Sequence, residues 1–393
     1  MARRIFYKIL LLALSILIGF FVAEAGLRLK NLIMRKHGPP GFRDQYGLAV
    51  LKPDLKGNFY SSESRRYPYI QTNADGFVGK TYALDKPDKA KRIAILGDSF
   101  VAAHQLDWDK NFVSRLDQKL AEQPLKSDAL YEMMNFGING VGTVEEMVVY
   151  DAYVKKYHPD LVVLVLFAGN DFSDNEEFLA KKESILNGDI DLLKKSDIEP
   201  NGSKNDGRGP IKRLILKSEF VSLILHIVRN TPSINQLFVR AGILKDLSKT
   251  SPLLEPTLAN MLLYTDPNNE RSLEALAFTA DLLNKFREKV EKDDAVFLVV
   301  ILPSHWQADE SYAEHLKDIN PSSAVDLPQS FLKNKLAKAA LLDFTDIFKK
   351  AINMDSKQIY ILGRGHLNEA GSIIAADALY EFLEDNQAEI FHD

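Results

Sequence analysis

A layered α/β domain with a parallel central sheet is the fold class predicted from residue 92 onward. Two observations predict it. Short β-rich runs alternate with helical patterns, the signature of βαβ units. One of those runs, LVVLVLF at 161–167, is apolar at every position, as a strand covered on both faces must be. Strands are expected at 92–96, 131–136, 161–167, 296–302 and 340–344. Helices are expected near 111–122, 143–157, 271–291 and 368–383.

Composition agrees with a globular chain. Of 393 residues, 46% are hydrophobic and 26% charged, which allows a sizeable core. The formal net charge of −5 leaves no basic surplus to attract nucleic acid. There is no cysteine, which excludes disulfides, thiolate metal sites and a cysteine nucleophile. No clustering of His with Asp or Glu suggests a metal, and no cofactor is implied.

Ahead of the α/β region lie two segments. Residues 1–36 open with Arg3, Arg4 and Lys8, followed by an apolar run at 9–23. The run reads in two ways: as a transmembrane anchor over 5–29, or as a signal peptide cleaved near Ala23-Glu24-Ala25. The anchor is the preferred reading, with the remaining chain outside a bacterial cytoplasmic membrane. Residues 37–91 are rich in turn signals and read as an irregular flank packed on the main domain. Within the α/β region, an insertion at about 172–270 is far longer than an ordinary crossover. Its part at 201–209 is polar and Gly-rich. The apolar part at 211–228 reads either as an extra helix over the core or as a lid or membrane-facing helix.

Ligands of open parallel sheets bind outside the carboxyl ends of the strands. Four stretches fall on that rim: Gly97-Asp98-Ser99-Phe100, Asn135-Phe136-Gly137-Ile138-Asn139-Gly140, Gly169-Asn170-Asp171 and Gly365-His366-Leu367-Asn368. A serine at a strand-to-helix turn has an exposed hydroxyl at the positive end of a helix dipole. Its own N–H, a glycine N–H after the second strand and an asparagine side chain after the third would supply oxyanion donors. A histidine within reach of the hydroxyl completes the minimum for acyl transfer.

These blocks resemble those of the SGNH (GDSL-like) hydrolases. The similarity covers roughly 92–171 and 340–383. It extends to Asn73-Ala74-Asp75-Gly76-Phe77 and to Glu24-Ala25-Gly26-Leu27-Arg28, which look like bacterial membrane-anchored members. The resemblance implies a three-layer flavodoxin-like fold with strand order 2-1-3-4-5, and ester hydrolysis or acyl transfer without a metal. It implies Ser99 as nucleophile, His366 as base, and Ser99, Gly140 and Asn170 as the oxyanion hole. The expected substrate class is an acyl ester, such as an O-acetyl ester, of a lipid or glycan at the cell envelope. An O-acyltransferase using the same serine, or an inactive homologue that binds an acylated lipid or glycan, are the alternatives.

One position departs from the family pattern. An aspartate is usual three residues before the histidine, or two in some anchored members, and here Gly363 and Arg364 stand there. Three outcomes remain open. A Ser99–His366 dyad, slow for want of an acid, would have a backbone carbonyl near Leu362 or Gly363 accept the Nδ1 proton. A carboxylate from elsewhere on the rim would restore a triad. The third outcome is a non-enzyme. His305 and His104 are the rival bases, and Asp98 and Asp171 read as structural acceptors of loop N–H groups. Gly79-Lys80-Thr81 imitates the end of a phosphate-binding loop, but no helix pattern follows it, so no nucleotide is expected.

Overall fold

The computed structural model describes residues 2–33, 38–125, 129–188, 263–264, 266–319, 321–336, 341–355, 358–361 and 365–391. The expectations for 201–209, 211–228, Leu362, Gly363 and Arg364 lie outside the described residues. The chain forms two compact units, Met1–His37 with Ser196–Leu254, and Gly38–Lys195 with Glu255–Asp393.

In the first unit a single helix, α1 (Ala2–Ile33), contains the expected apolar run. Arg3, Arg4 and Lys8 precede that run, and Glu24 and Arg28 follow it, paired at 2.7 Å. Among the described residues no helix is long and apolar enough to cross a membrane. The anchor expected over 5–29 lies within α1.

The second unit begins with the flank, which is more regular than expected. Strands β1 (Gly41–Arg43) and β2 (Ala49–Leu51) pair antiparallel, as do β3 (Lys56–Asn58) and β4 (Tyr69–Gln71). The 73–77 motif is a clasp. Asn73 Oδ1 accepts from the N–H groups of Asp75 and Phe77 at 3.0 and 2.9 Å. Gly76 has φ +89°, and a Cβ there would lie 2.3 Å from the Leu51 carbonyl oxygen. Phe77 is thereby turned inward, edge-on to Phe136 and Tyr153. The Gly79-Lys80-Thr81 imitation has no helix after it, and Lys80 pairs with Asp117 at 2.5 Å.

The central sheet has five parallel strands: β5 (Ala90–Gly97), β6 (Leu130–Gly137), β7 (Leu161–Phe167), β8 (Val296–Leu302) and β9 (Leu341–Asp343), in the order β6-β5-β7-β8-β9. Every residue of β7 is buried, the physical cause of its unbroken apolar sequence. Alternation assigns the two faces. Ile93, Ile95, Val163, Val165, Leu298 and Val300 join a core with helices Phe112–Glu122 and Glu369–Asp385. On the alternate face Phe297 packs on Phe286 of helix Glu270–Lys292, ring centroids 5.0 Å apart. The expected helix at 143–157 begins as an α-helix at Thr143–Val149 and continues through π and 3₁₀ turns to Tyr157.

Two glycines let the backbone close up at the carboxyl edge. A Cβ on Gly137 would lie 2.2 Å from the Ala102 amide nitrogen, and one on Gly97 would lie 2.4 Å from Val101 Cγ2. The end of β6 is thus pressed against the helix that follows β5. Overpacking costs about 1–3 kcal/mol, so Gly137→Ala is expected to lower the urea midpoint by a corresponding amount with an unchanged slope. An unchanged midpoint would show that the two backbones do not approach this closely.

Candidate active site

Ser99 opens a short helix, α2 (Ser99–Ala102), directly after β5. Asp98 caps that helix, its Oδ1 accepting from Phe100 N–H at 2.8 Å. The Ser99 N–H, at the first helical position, has no acceptor within the helix. Asp98 is buried, and burial raises its pKa despite the N–H it accepts.

His366 sits in a short connection between Ile361 and the helix Glu369–Asp385. Ile361 N–H donates to the His366 carbonyl at 2.8 Å, and Gln105 Nε2 donates to the Leu367 carbonyl at 3.1 Å. The Phe100 ring lies against the imidazole, centroids 4.7 Å apart. These contacts bring His366 Nε2 to 2.7 Å from Ser99 Oγ, across 267 residues of sequence.

On the other side of the ring, His366 Nδ1 lies 2.8 Å from the carboxylate of Glu63. This corrects the expected dyad. The acceptor at Nδ1 is a side-chain carboxylate from the flank, in the turn closed by the Ser61–Arg66 bridge. The line Ser99–His366–Glu63 has the connectivity of a nucleophile, base and orienting acid. Sequence reasoning missed Glu63, because Ser61-Ser62-Glu63-Ser64 has no distinguishing pattern and its partner lies 303 residues away.

The other expected residues are placed as follows. Gly140 is exposed with φ +72°, and among the described residues nothing stands within 4 Å of where its Cβ would be. Asn170 immediately precedes the helix Asp171–Glu176, and its Nδ2 donates to Asp174 at 2.7 Å. The same amide interacts with Asp98, which lowers the pKa of that acid against the effect of burial. Asn170 thus also lines a cleft whose apolar walls include Ala168, Phe172, Leu263, Tyr264 and Ala275. His305 is packed between the rings of Trp306 and Tyr360. His104 bonds to Asn139, and burial together with the nearby charge of His366 pushes its pKa down to about 4. Asp171 accepts from Phe167 N–H at 2.7 Å, a structural use of the kind expected.

Beneath this rim lies a set of buried acids. Glu146 is 1% exposed, and neither of its oxygens has a hydrogen-bond partner. Burial, then the charges of Asp98, Glu145 and Asp174, raise its pKa well above the ordinary value. The same cause, burial first, acts on Asp171 and pushes Asp174 up to about 6. Neutral forms are favoured because a dry interior penalises each added charge. Among the described residues no group of three or more His, Asp or Glu is arranged to hold a metal ion.

No family model matches the chain, and no curated protein matches it. Solved structures do. The acetyl xylan esterase AlAXEase aligns at 15% identity over 74% of this chain and 99% of its own, with a TM-score of 0.37. A lipase/acylhydrolase from Enterococcus faecalis aligns at 11% identity over 75% of this chain and 96% of its own, TM-score 0.37. A putative lipolytic protein of the G-D-S-L family from Desulfitobacterium hafniense DCB-2 does so at 12% over 74% and 98%, TM-score 0.34.

The buried acids carry a stability consequence. The unfolded chain releases the Glu146 proton above the ordinary pKa of 4.5, while the folded state retains it. Its contribution to stability is therefore fully present below that value and is lost as pH rises above it. Glu146→Gln is expected to melt higher than the parent at pH 8 and to show little of that gain at pH 4. An equal shift at both pH values would contradict a protonated Glu146.

Proposed function

We propose that this chain is a serine ester hydrolase acting through an acyl-Ser99 intermediate. The observation that carries the reading is the continuous line from Ser99 Oγ to His366 Nε2 at 2.7 Å and from His366 Nδ1 to Glu63 at 2.8 Å.

The chemistry follows from that line. Glu63 accepts the Nδ1–H, which leaves Nε2 bare and facing the serine hydroxyl. Ser99 Oγ attacks the acyl carbonyl as its proton passes to Nε2. The imidazolium that forms lies against the Glu63 carboxylate, which offsets its charge. The carbonyl oxygen, now negative, takes the N–H groups of Ser99 and Gly140. The Asn170 amide is the third donor once it leaves Asp174. His366 then returns its proton to the leaving alcohol, and a water activated by the same Nε2 releases the acid.

The substrate class we propose is an acyl ester, such as an O-acetyl ester, of a lipid or glycan of the cell envelope. A binding-only homologue loses the observation that suggested it, the lack of an orienting acid, because Glu63 occupies that place.

Ser99→Ala is expected to abolish labelling by a fluorophosphonate probe and hydrolysis of p-nitrophenyl acetate, with the melting temperature retained. Undiminished turnover in that variant would remove Ser99 as nucleophile.

A further inference from the structure

The Ser99 and Gly140 N–H groups belong to different strand ends, and an oxyanion site needs them fixed relative to each other. The 135–138 stretch is tied to the β5–α2 segment by Asn135 Nδ2 donating to the Val101 carbonyl at 2.9 Å and Ile138 N–H donating to the Gly97 carbonyl at 3.1 Å. Beyond Ile138 the chain turns outward. Asn139 and Gly140 are exposed, and among the described residues no atom lies within 4 Å of where a Gly140 Cβ would be. The N–H of the Asn139–Gly140 peptide is the donor in question. At that point the Asn139 side chain meets His104, with Nδ2 3.1 Å from His104 Nδ1.

How His104 comes to be there is also informative. It directly follows Ala103, which holds φ 48° and ψ 42°, the left-handed region that alanine adopts only at a cost of about 1–2 kcal/mol. That turn ends the nucleophile helix and sends His104 across to the neighbouring loop. An amide nitrogen is a donor only, so the imidazole nitrogen facing it is bare, and a neutral His104 carries its proton on Nε2. A charged imidazole would set donor against donor. Burial and the nearby His366 keep the ring neutral.

We propose that His104 is a positioning residue for the oxyanion site: as the Nε2–H tautomer it accepts a hydrogen bond from Asn139 and so holds the peptide that presents the Gly140 N–H. The inference rests on the reading of Ser99 as nucleophile. It assigns to the chain a brace outside the Ser99–His366–Glu63 line, one that acts on transition-state charge rather than on substrate affinity.

Removing one oxyanion donor outright costs about 100-fold or more, and loosening one costs less. His104→Ala is expected to lower kcat for p-nitrophenyl acetate by roughly tenfold with KM within about twofold. His104→Asn, whose Oδ1 takes the place of Nδ1, is expected to recover most of that loss. Asn139→Ala is expected to match His104→Ala, and the double variant to be no slower than either. A parental kcat in His104→Ala, additive losses in the double variant, or no recovery by Asn would each overturn the brace. Imidazole ¹⁵N spectra of the Ser99→Ala protein, with His104→Asn identifying the resonance, separate this inference from the nucleophile reading. A bare Nδ1 and protonated Nε2 on His104 supports the brace even in an inactive protein, and the opposite tautomer overturns it. Loss of Ser99 labelling in the parent would count against the nucleophile alone.

Discussion

The hydrogen bond between His366 Nδ1 and Glu63 is the constraint on which the site depends. It closes 303 residues of sequence and requires three parts of the chain to be in place together. The flank brings the carboxylate, the final connection brings the imidazole, and β5 brings the serine. The structure accordingly fastens the flank with unusual thoroughness. Arg92, fully buried at the start of β5, donates to the carbonyls of Ala83 and Leu84 at 2.7 and 2.9 Å while its Nε pairs with Glu132 at 2.6 Å. Asp75 in the clasp pairs with Lys156 at 2.8 Å and accepts from the Tyr157 hydroxyl at 2.8 Å. A buried guanidinium with a charged partner tolerates little displacement, because losing either partner strands the other in a dry interior. These contacts tie the flank to β5 and to the segment that ends at Tyr157.

The sheet does the remaining placement. Parallel strands deliver their following loops to one edge, so residues far apart in sequence converge without a dedicated scaffold. Close approach at that edge comes from Gly97 and Gly137, where any side chain would meet backbone or Val101. The buried Asp98, Asp171 and Glu146 lie under the same edge, and were they all ionised they would oppose a developing oxyanion. Burial works the other way by favouring the neutral acids. The hydrophobic interior that holds the loops therefore also lessens the negative charge beneath them.

Much of this was legible in the sequence, for physical reasons specific to each element. LVVLVLF declared β7 because a doubly covered strand has no polar position to spend. Ser99 and His366 were legible because each lies beside a strand end or helix start with a local pattern. Glu63 was not, since its role is a tertiary contact made by a residue in an ordinary polar turn. The two flank hairpins were read as irregular, their strands being three residues each and too short to show alternation. His104 was weighed only as a rival base, and its contact with Asn139 depends on a left-handed turn at Ala103 that no propensity announces.

The acid drawn from the flank is the central claim, and steady-state kinetics of Glu63→Gln tests it most directly. The amide keeps the size of the carboxylate, yet it neither fixes the Nδ1–H tautomer nor offsets the imidazolium charge, losses that together cost up to about 10⁴-fold in a triad. The account predicts a fall in kcat of roughly 10² to 10⁴, with KM within a few-fold and the melting temperature retained. A Glu63→Gln protein that turns over within twofold of the parent would contradict it, and would show that His366 is oriented by some other group.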